Sequence, residues 1–182
     1  KDVKFCLAFI HSPSSFHSRT KKIVVPEDIK GMKIRPAHAT MAKFVTQLGG
    51  TNVQSSAPEV RDIIERGVAD AVTFPWGSVV LFGIDKVTKY HMDAPLYVTT
   101  FAFVMNKDKY NQMSDKQKKA IDNNCSTEAA GRVGEPWGKF EDAGIAKIKA
   151  EAGHEVYALT PEQTAQWKKT SEPLVKTWGD GV

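Results

Sequence analysis

Apolar residues recur along this chain with two alternating periods. Met41, Phe44, Val45 and Leu48 fall at i, i+3, i+4 and i+7, on one face of a helix, with Thr40 placed to cap its start and Gly49-Gly50 to stop it. Val60, Ile63 and Ile64 make a second helical stripe, entered by a Ser56/Glu59 capping box and closed by Gly67. Between these stripes the period shortens. Residues 32–35 alternate apolar and basic, as a strand with one face in the core does, and Pro36 ends them; residues 51–54 read as a brief strand, and residues 68–74, apolar except for Asp70, as a strand buried on both faces. The strand-helix-strand-helix-strand order across residues 28–76 predicts parallel strands joined by right-handed crossovers. Ligands of such sheets sit off the carboxyl ends of the strands. Arg35 and the corner Phe74-Pro75-Trp76 both stand at such ends and are expected to face one crevice.

The flanks support this unit. Val3–Ile10 is β-prone and leads into a loop, HSPSSFHSRTKK, that carries Phe16, His17 and Arg19. Residues 77–83 read as a short helical turn, residues 85–91 as a half-polar strand, and residues 94–105, rich in β-branched and aromatic side chains, as the strongest strand of the chain. Beyond Asn106 the pattern turns helical, with a Ser114/Gln117 capping box and apolar positions through Ile148, and Gly134 and Pro136 are expected to bend or break it. A short strand at residues 156–159 and a last helix capped by Thr160 complete the pattern, with Trp137, Trp167 and Trp178 read as packing residues.

Composition narrows the class without naming it. With 41% hydrophobic and 25% charged residues among 182, the chain has the balance of a globular protein, and no apolar run approaches the ~20 residues of a membrane helix. The net charge of +4 is spread through interleaved acidic and basic residues, which argues against nucleic acid as partner and leaves a small anion open. Cys6 and Cys125 are compatible with one long-range disulfide or with two buried free thiols, and their separation favours the thiols. The opening KDVKFCLAFI has no signal-peptide pattern, which says nothing about export of a mature or truncated chain.

Arg35 is the first candidate for chemistry, because a guanidinium at a strand end can hold a carboxylate by two parallel charge-assisted bonds. Phe74 and Trp76 are candidate walls for an anion with an apolar body, with ordinary core packing as the alternative. His17 and Arg19 are candidate donors on their loop, the alternative being a solvated basic loop. The five histidines, His11, His17, His38, His91 and His154, show no metal spacing, and no nucleophile elbow, phosphate loop or dinucleotide fingerprint occurs, so no metal, cofactor or catalytic residue is expected.

Three segments then go beyond pattern. DIKGMKIRPAHATMAKFVTQLGG, APEVRDIIERGVADAV and FAFVMNKDKYNQMSDKQKKAID, in this order, resemble the solute-binding subunits of tripartite ATP-independent periplasmic (TRAP) transporters, the DctP-like family. The resemblance implies an α/β fold of the type II periplasmic-binding-protein kind, two lobes with mixed and parallel sheets closing like a hinge on an organic acid. It implies a periplasmic, non-enzymatic receptor, exported with a signal peptide in its precursor, whose partners are a small carboxylate and the TRAP membrane permease. On this likeness Arg35 is the carboxylate clamp, and HSRTKK is similar to the family's second basic element, placing His17 and Arg19 near the ligand. Ala71 replaces the family's usual glycine, and Phe74 stands where many members have asparagine, which favours an aromatic or 2-oxo acid over a sugar acid. The same likeness implies that the chain corresponds to the C-terminal three-fifths of a member: residues 1–22 as crossing strand and loop of the first lobe, residues 23–92 as a complete second lobe, and residues 93–182 as returning strand and helices of the first. Apolar surface is then expected where the remaining part docks. An enzyme on the same architecture, with His17 or Asp70 as acid or base, and an anion-sensing module are the alternatives.

Overall fold

In the computed structural model, which describes residues 2–180, the predicted alternation is present with one strand more. In chain order the elements are β1 (Val3–Ile10), β2 (Ser15–Ser18), β3 (Lys33–Arg35), α1 (Ala39–Gln47), β4 (Thr51–Asn52), α2 (Val60–Glu65), β5 (Ala71–Phe74), α3 (Trp76–Leu81), β6 (Tyr90–Asp93), β7 (Thr100–Asn106), α4 (Lys107–Asn111), α5 (Asp115–Asp122), α6 (Thr127–Ala150), β8 (Glu155–Ala158) and α7 (Pro161–Gly179). They group into two units, residues 1–12 with 98–141 and residues 13–97 with 142–182. Among the described residues no helix is long and apolar enough to cross a membrane.

The first unit is built on the antiparallel pair β1 and β7, in register Phe9↔Phe101 and Val3↔Asn106, with an irregularity between Phe5 and Leu7. Phe9, Phe101 and Trp137 pack as an aromatic cluster, with ring centroids 5.2 to 5.9 Å apart. Val3, Phe5, Ile10, Phe103 and Val104 of the ladder stay exposed. Cys6, at the irregularity, is disulfide-bonded to Cys125 across 119 residues, so the reading of two free thiols is overturned. Sequence separation gave no sign of the pairing because the two cysteines meet only after β1 and the segment ahead of α6 are brought together.

The second unit carries a six-stranded sheet in the order β4-β3-β5-β2-β6-β8. β3, β4 and β5 are parallel, as the crossover pattern predicts, whereas β2 runs antiparallel to both β5 and β6. The sheet is covered on both faces. Phe16, Ile34, Ala71 and Met92 point into one core with Met41, Phe44 and Val45 of α1 and Trp167 of α7. Val72 and Phe74 point into the other, with Val60 and Ile64 of α2, Trp76 and Val79 of α3 and Ile148 of α6. Each strand thus alternates its side chains between two apolar layers, the arrangement expected of a sheet buried on both faces.

Several local expectations shift. His38, not Thr40, caps α1, its Nδ1 accepting from the Met41 N–H. Residues 85–91 split into a 3-10 turn over Ile84–Val87 and the start of β6, and only residues 100–106 of the long apolar run form β7. Pro136 does not break α6, which runs from Thr127 to Ala150 with the proline inside it. Trp137 and Trp167 pack as expected, while Trp178 is exposed.

Two consequences are measurable. Opening the disulfide by joint Cys6→Ser and Cys125→Ser substitution should lower the unfolding free energy by about 3 to 5 kcal/mol, because the closed loop is long; urea denaturation checks this, and an unchanged midpoint would contradict it. At Gly144 of α6, a Cβ would meet the Gly77 backbone at 2.6 Å, so this helix rests directly on the start of α3. Gly144→Ala should therefore cost about 2 kcal/mol by overpacking against backbone, read as a drop in Tm.

Candidate ligand-binding site

β3 and β5 end side by side, Arg35 opposite Val72 and two residues short of Phe74. Their carboxyl ends form one edge of the sheet, and because β2 is antiparallel its first residues reach the same edge, Ser15 opposite Phe74. The backbone N–H of Ser14 donates to the Tyr97 carbonyl at 2.9 Å, which brings Tyr97 to this edge as well. The loop after β3 is held there by Ala37, whose N–H donates to the buried Thr73 hydroxyl at 2.7 Å.

Arg35 is half-buried. Its Nε and one terminal nitrogen donate to the Ser55 carbonyl at 3.3 and 3.2 Å, and its guanidinium lies over the Phe74 ring, 5.2 Å from the centroid. Burial pushes its pKa down, and the Tyr97 phenol nearby opposes that. No carboxylate among the described residues acts on it. A half-buried guanidinium held by a carbonyl and an aromatic face, with further N–H donors in its fork, is poised to receive an anion. His38, the α1 cap, meets the Tyr97 ring edge-on at 5.5 Å on the same side of the unit.

The other expected residues are placed differently. The antiparallel direction of β2 carries Arg19 to the far edge of the sheet, where its N–H donates to the Asp70 carbonyl at 3.0 Å and its side chain is exposed. Asp70 has a structural task there, its carboxylate accepting from the Lys33 N–H at 2.8 Å. His17 lies in mid-strand with 0% of its surface exposed. Its Nε2 meets the Phe74 carbonyl at 3.0 Å and its Nδ1 the Nδ1 of His91 at 2.9 Å, so its polar atoms serve the fold, and burial pushes its pKa down to about 4. Trp76 is buried too, stacking edge-on against His17 with centroids 4.8 Å apart. Of the five residues singled out from the sequence, Arg35 and Phe74 are brought together, Trp76 and His17 lie behind Phe74, and Arg19 is remote.

Three residues of this edge escaped the sequence reading. Tyr97 sits inside a run that reads as uninterrupted strand, and Ser14 and Ser15 sit in a stretch that reads as loop. The Ser15 hydroxyl is buried and has no hydrogen-bond partner among the described residues, at the position facing Phe74 across the ladder.

The chain has extensive likenesses. The model of the bacterial extracellular solute-binding proteins, family 7 (DctP), matches residues 7–180. A solute-binding protein of Albidiferax ferrireducens is 24% identical over 172 residues, covering 89% of this chain and 48% of the relative. A TRAP periplasmic solute-binding protein of Bordetella bronchiseptica, solved with (R)- and (S)-mandelate bound, superposes with a TM-score of 0.89 at 22% identity, over 98% of this chain and 57% of that one. A TRAP solute-binding protein from a marine metagenome, specific for aromatic acid ligands and solved with 3-hydroxybenzoate, is 33% identical with a TM-score of 0.85, again over 98% of this chain and 57% of the other. The chain thus spans 48% of the curated relative's length and 57% of these solved chains. Its mixed α/β fold with parallel and antiparallel strands is theirs, and with the family model matched over residues 7–180 the chain belongs to the bacterial extracellular solute-binding proteins of family 7, the DctP family.

Proposed function

We propose that this protein is a periplasmic receptor, not an enzyme, that captures an organic acid with an aromatic or otherwise apolar body and delivers it to a TRAP-type membrane permease. The observation that carries this reading is Arg35, half-buried at the carboxyl edge of the sheet, stacked on Phe74 and answered by no carboxylate among the described residues. Leaving a cation in that position costs stability, a cost that is tolerated where a ligand supplies the missing charge. The ligand carboxylate takes the N–H donors that Ser55 does not occupy, and Phe74, in place of a polar side chain, favours a ring or alkyl body beside it. The 33% identical relative, specific for aromatic acids, supports the same choice. In this reading Arg19 makes no ligand contact, His17 and Trp76 act behind Phe74, and the Ser15 hydroxyl is a further polar group at the edge. Export to the periplasm accords with the extracellular character of the family and with the Cys6–Cys125 disulfide, a bond that persists in oxidising compartments.

The test is titration of the full-length protein with 3-hydroxybenzoate. Arg35→Ala should weaken binding by about 30-fold or more, since losing a buried charge-assisted pair costs at least ~2 kcal/mol, and Arg35→Lys should fall between. An Arg35→Ala affinity within about twofold of wild type would remove the clamp. Phe74→Leu should cost more for 3-hydroxybenzoate than for pyruvate, and equal losses would count against an aromatic wall. Recovery of unchanged ligand after denaturation is expected of a receptor, and turnover would overturn that assignment.

A further inference from the structure

The polar interior behind the site has an order that the receptor reading does not use. His17 of β2, His91 of β6 and His154, just ahead of β8, stand in line on one face of the sheet. From the inside outwards the contacts are Phe74 carbonyl to His17 Nε2 at 3.0 Å, His17 Nδ1 to His91 Nδ1 at 2.9 Å, His91 Nε2 to His154 Nδ1 at 3.0 Å, and His154 Nε2 to a Glu151 carboxylate oxygen at 3.6 Å.

One carbonyl fixes every proton in this line. A carbonyl oxygen only accepts, so His17 carries its hydrogen on Nε2, and a neutral His17 then offers Nδ1 as an acceptor. His91 must therefore donate from Nδ1, which leaves its Nε2 to accept from Nδ1–H of His154. All three N–H vectors point towards Phe74. An added proton on His17 Nδ1 or on His91 Nε2 would set two donors against each other across 2.9 or 3.0 Å. At His154 Nε2 it breaks nothing, and there the Glu151 carboxylate receives it. Burial accords with this: it pushes His17 down to about 4, and burial followed by the charges of its two neighbours pushes His91 down to about 2.

The charged groups around the outer end come from α6, from the 3-10 turn over Ile84–Val87 and from the segments beside β2 and β6. Lys147 of α6 lies 2.8 Å from Glu151 and 3.2 Å from Asp85, and Lys86 lies 3.7 Å from Glu151 and 3.4 Å from Asp85. Lys147 is first among the causes that hold the Glu151 carboxyl below its ordinary range. Arg19 and Lys89 line the same groove. At the inner end, Trp76 packs on His17 at 4.8 Å and on His91 at 6.0 Å, and Phe74 carries both the terminal carbonyl and the ring beneath Arg35.

We propose that His17, His91 and His154 are positioning residues of the carboxylate site, a one-directional imidazole relay through which a proton received at His154 beside Glu151 tightens the hold on the Phe74 corner and strengthens anion binding at Arg35. The proposal rests on the receptor reading. Its physics is mutual polarisation: a charged outer imidazole makes each N–H further in a stronger donor, ending in a firmer bond to the Phe74 carbonyl. By linkage, a bound anion strengthens proton binding at His154 to the same degree.

The test uses the full-length protein. Nitrogen NMR of the histidine side chains should show His17 protonated on Nε2 and both His91 and His154 on Nδ1; His91 protonated on Nε2 instead would overturn the relay. The affinity for 3-hydroxybenzoate, a carboxylate ionised across the range, should rise about fivefold between about pH 8 and about pH 5.5, and His154→Gln should flatten that profile. A His154→Gln profile parallel to wild type, or a wild-type affinity independent of pH, overturns the coupling. Failure of the receptor reading shows separately, as an Arg35→Ala protein that binds as well as wild type. The lowered values of His17 and His91 also fix the sign of acid stability. The unfolded chain takes up protons below the ordinary imidazole value of 6.5 that the folded one refuses, so Tm should hold above that pH and fall as the pH drops from 6.5 towards about 4. A Tm that stays level to about pH 4.5 would contradict neutral, buried imidazoles.

Discussion

A polar strand in the middle of a sheet must find partners for its side chains inside the protein, and β2 sets that constraint here. Ser15, Phe16, His17 and Ser18 are all buried, and the strand is paired on both sides, by β5 and β6. Its backbone groups are answered by those ladders. Its imidazole cannot be answered by water, and a buried polar group left unmade costs about 1 to 3 kcal/mol. His17 is satisfied by Phe74 on one side and His91 on the other, but His91 is itself buried and needs a second partner, which is His154. Only at Glu151 and the lysines near it does the line reach groups that hold charge in contact with solvent. One histidine in β2 thus specifies a residue in β6 and another before β8, and the sheet order β2-β6-β8 is the order in which those needs are met.

The direction of β2 then decides what stands at the edge of the sheet beside Arg35. Running against β5, it delivers Ser14 and Ser15 to the ends of β3 and β5, and the Ser14 backbone ties in Tyr97. The same direction takes Arg19 away. Had the strand been parallel, Arg19 and Arg35 would share an edge, and the site would carry two cations in place of one cation among hydroxyl, phenol and ring. The single guanidinium is held by the Ser55 carbonyl and the Phe74 ring, neither of which neutralises it.

How much of this was legible follows from what each element depends on. α1, α2 and β5 depend on the apolar period of their own residues and stand close to where that period puts them. Arg35 was legible because Pro36 marks the end of an alternating strand. β2 was not, since SFHS has no alternation of apolar and polar positions and is a strand only because β5 and β6 flank it. The histidines lie 74 and 63 residues apart, a separation that no spacing rule connects and only the sheet order brings within hydrogen-bond distance. Trp76 was read as a wall because it follows a buried strand; the close seat of Gly144 on Gly77 instead holds that turn of α3 against the sheet, and the indole packs on the relay. The helical run through Pro136 shows the reverse case, where a local breaker is outweighed by the apolar stripe on either side of it.

Sheet order and site chemistry are in this way one problem. A guanidinium half out of water and unpaired is unfavourable, and so is an imidazole fully out of water. The fold resolves the second by passing the need for a partner outwards until it meets a carboxylate. It leaves the first unresolved at the opposite end of the same line, with Phe74 as the residue common to both. The backbone of Phe74 terminates the histidine line and its ring lies beneath the arginine. Through that shared residue the polar interior and the Arg35 edge of the sheet adjoin. An aromatic side chain suits this position: a polar one would compete with Ser55 for the guanidinium, whereas a ring face steadies the cation and occupies none of its N–H donors.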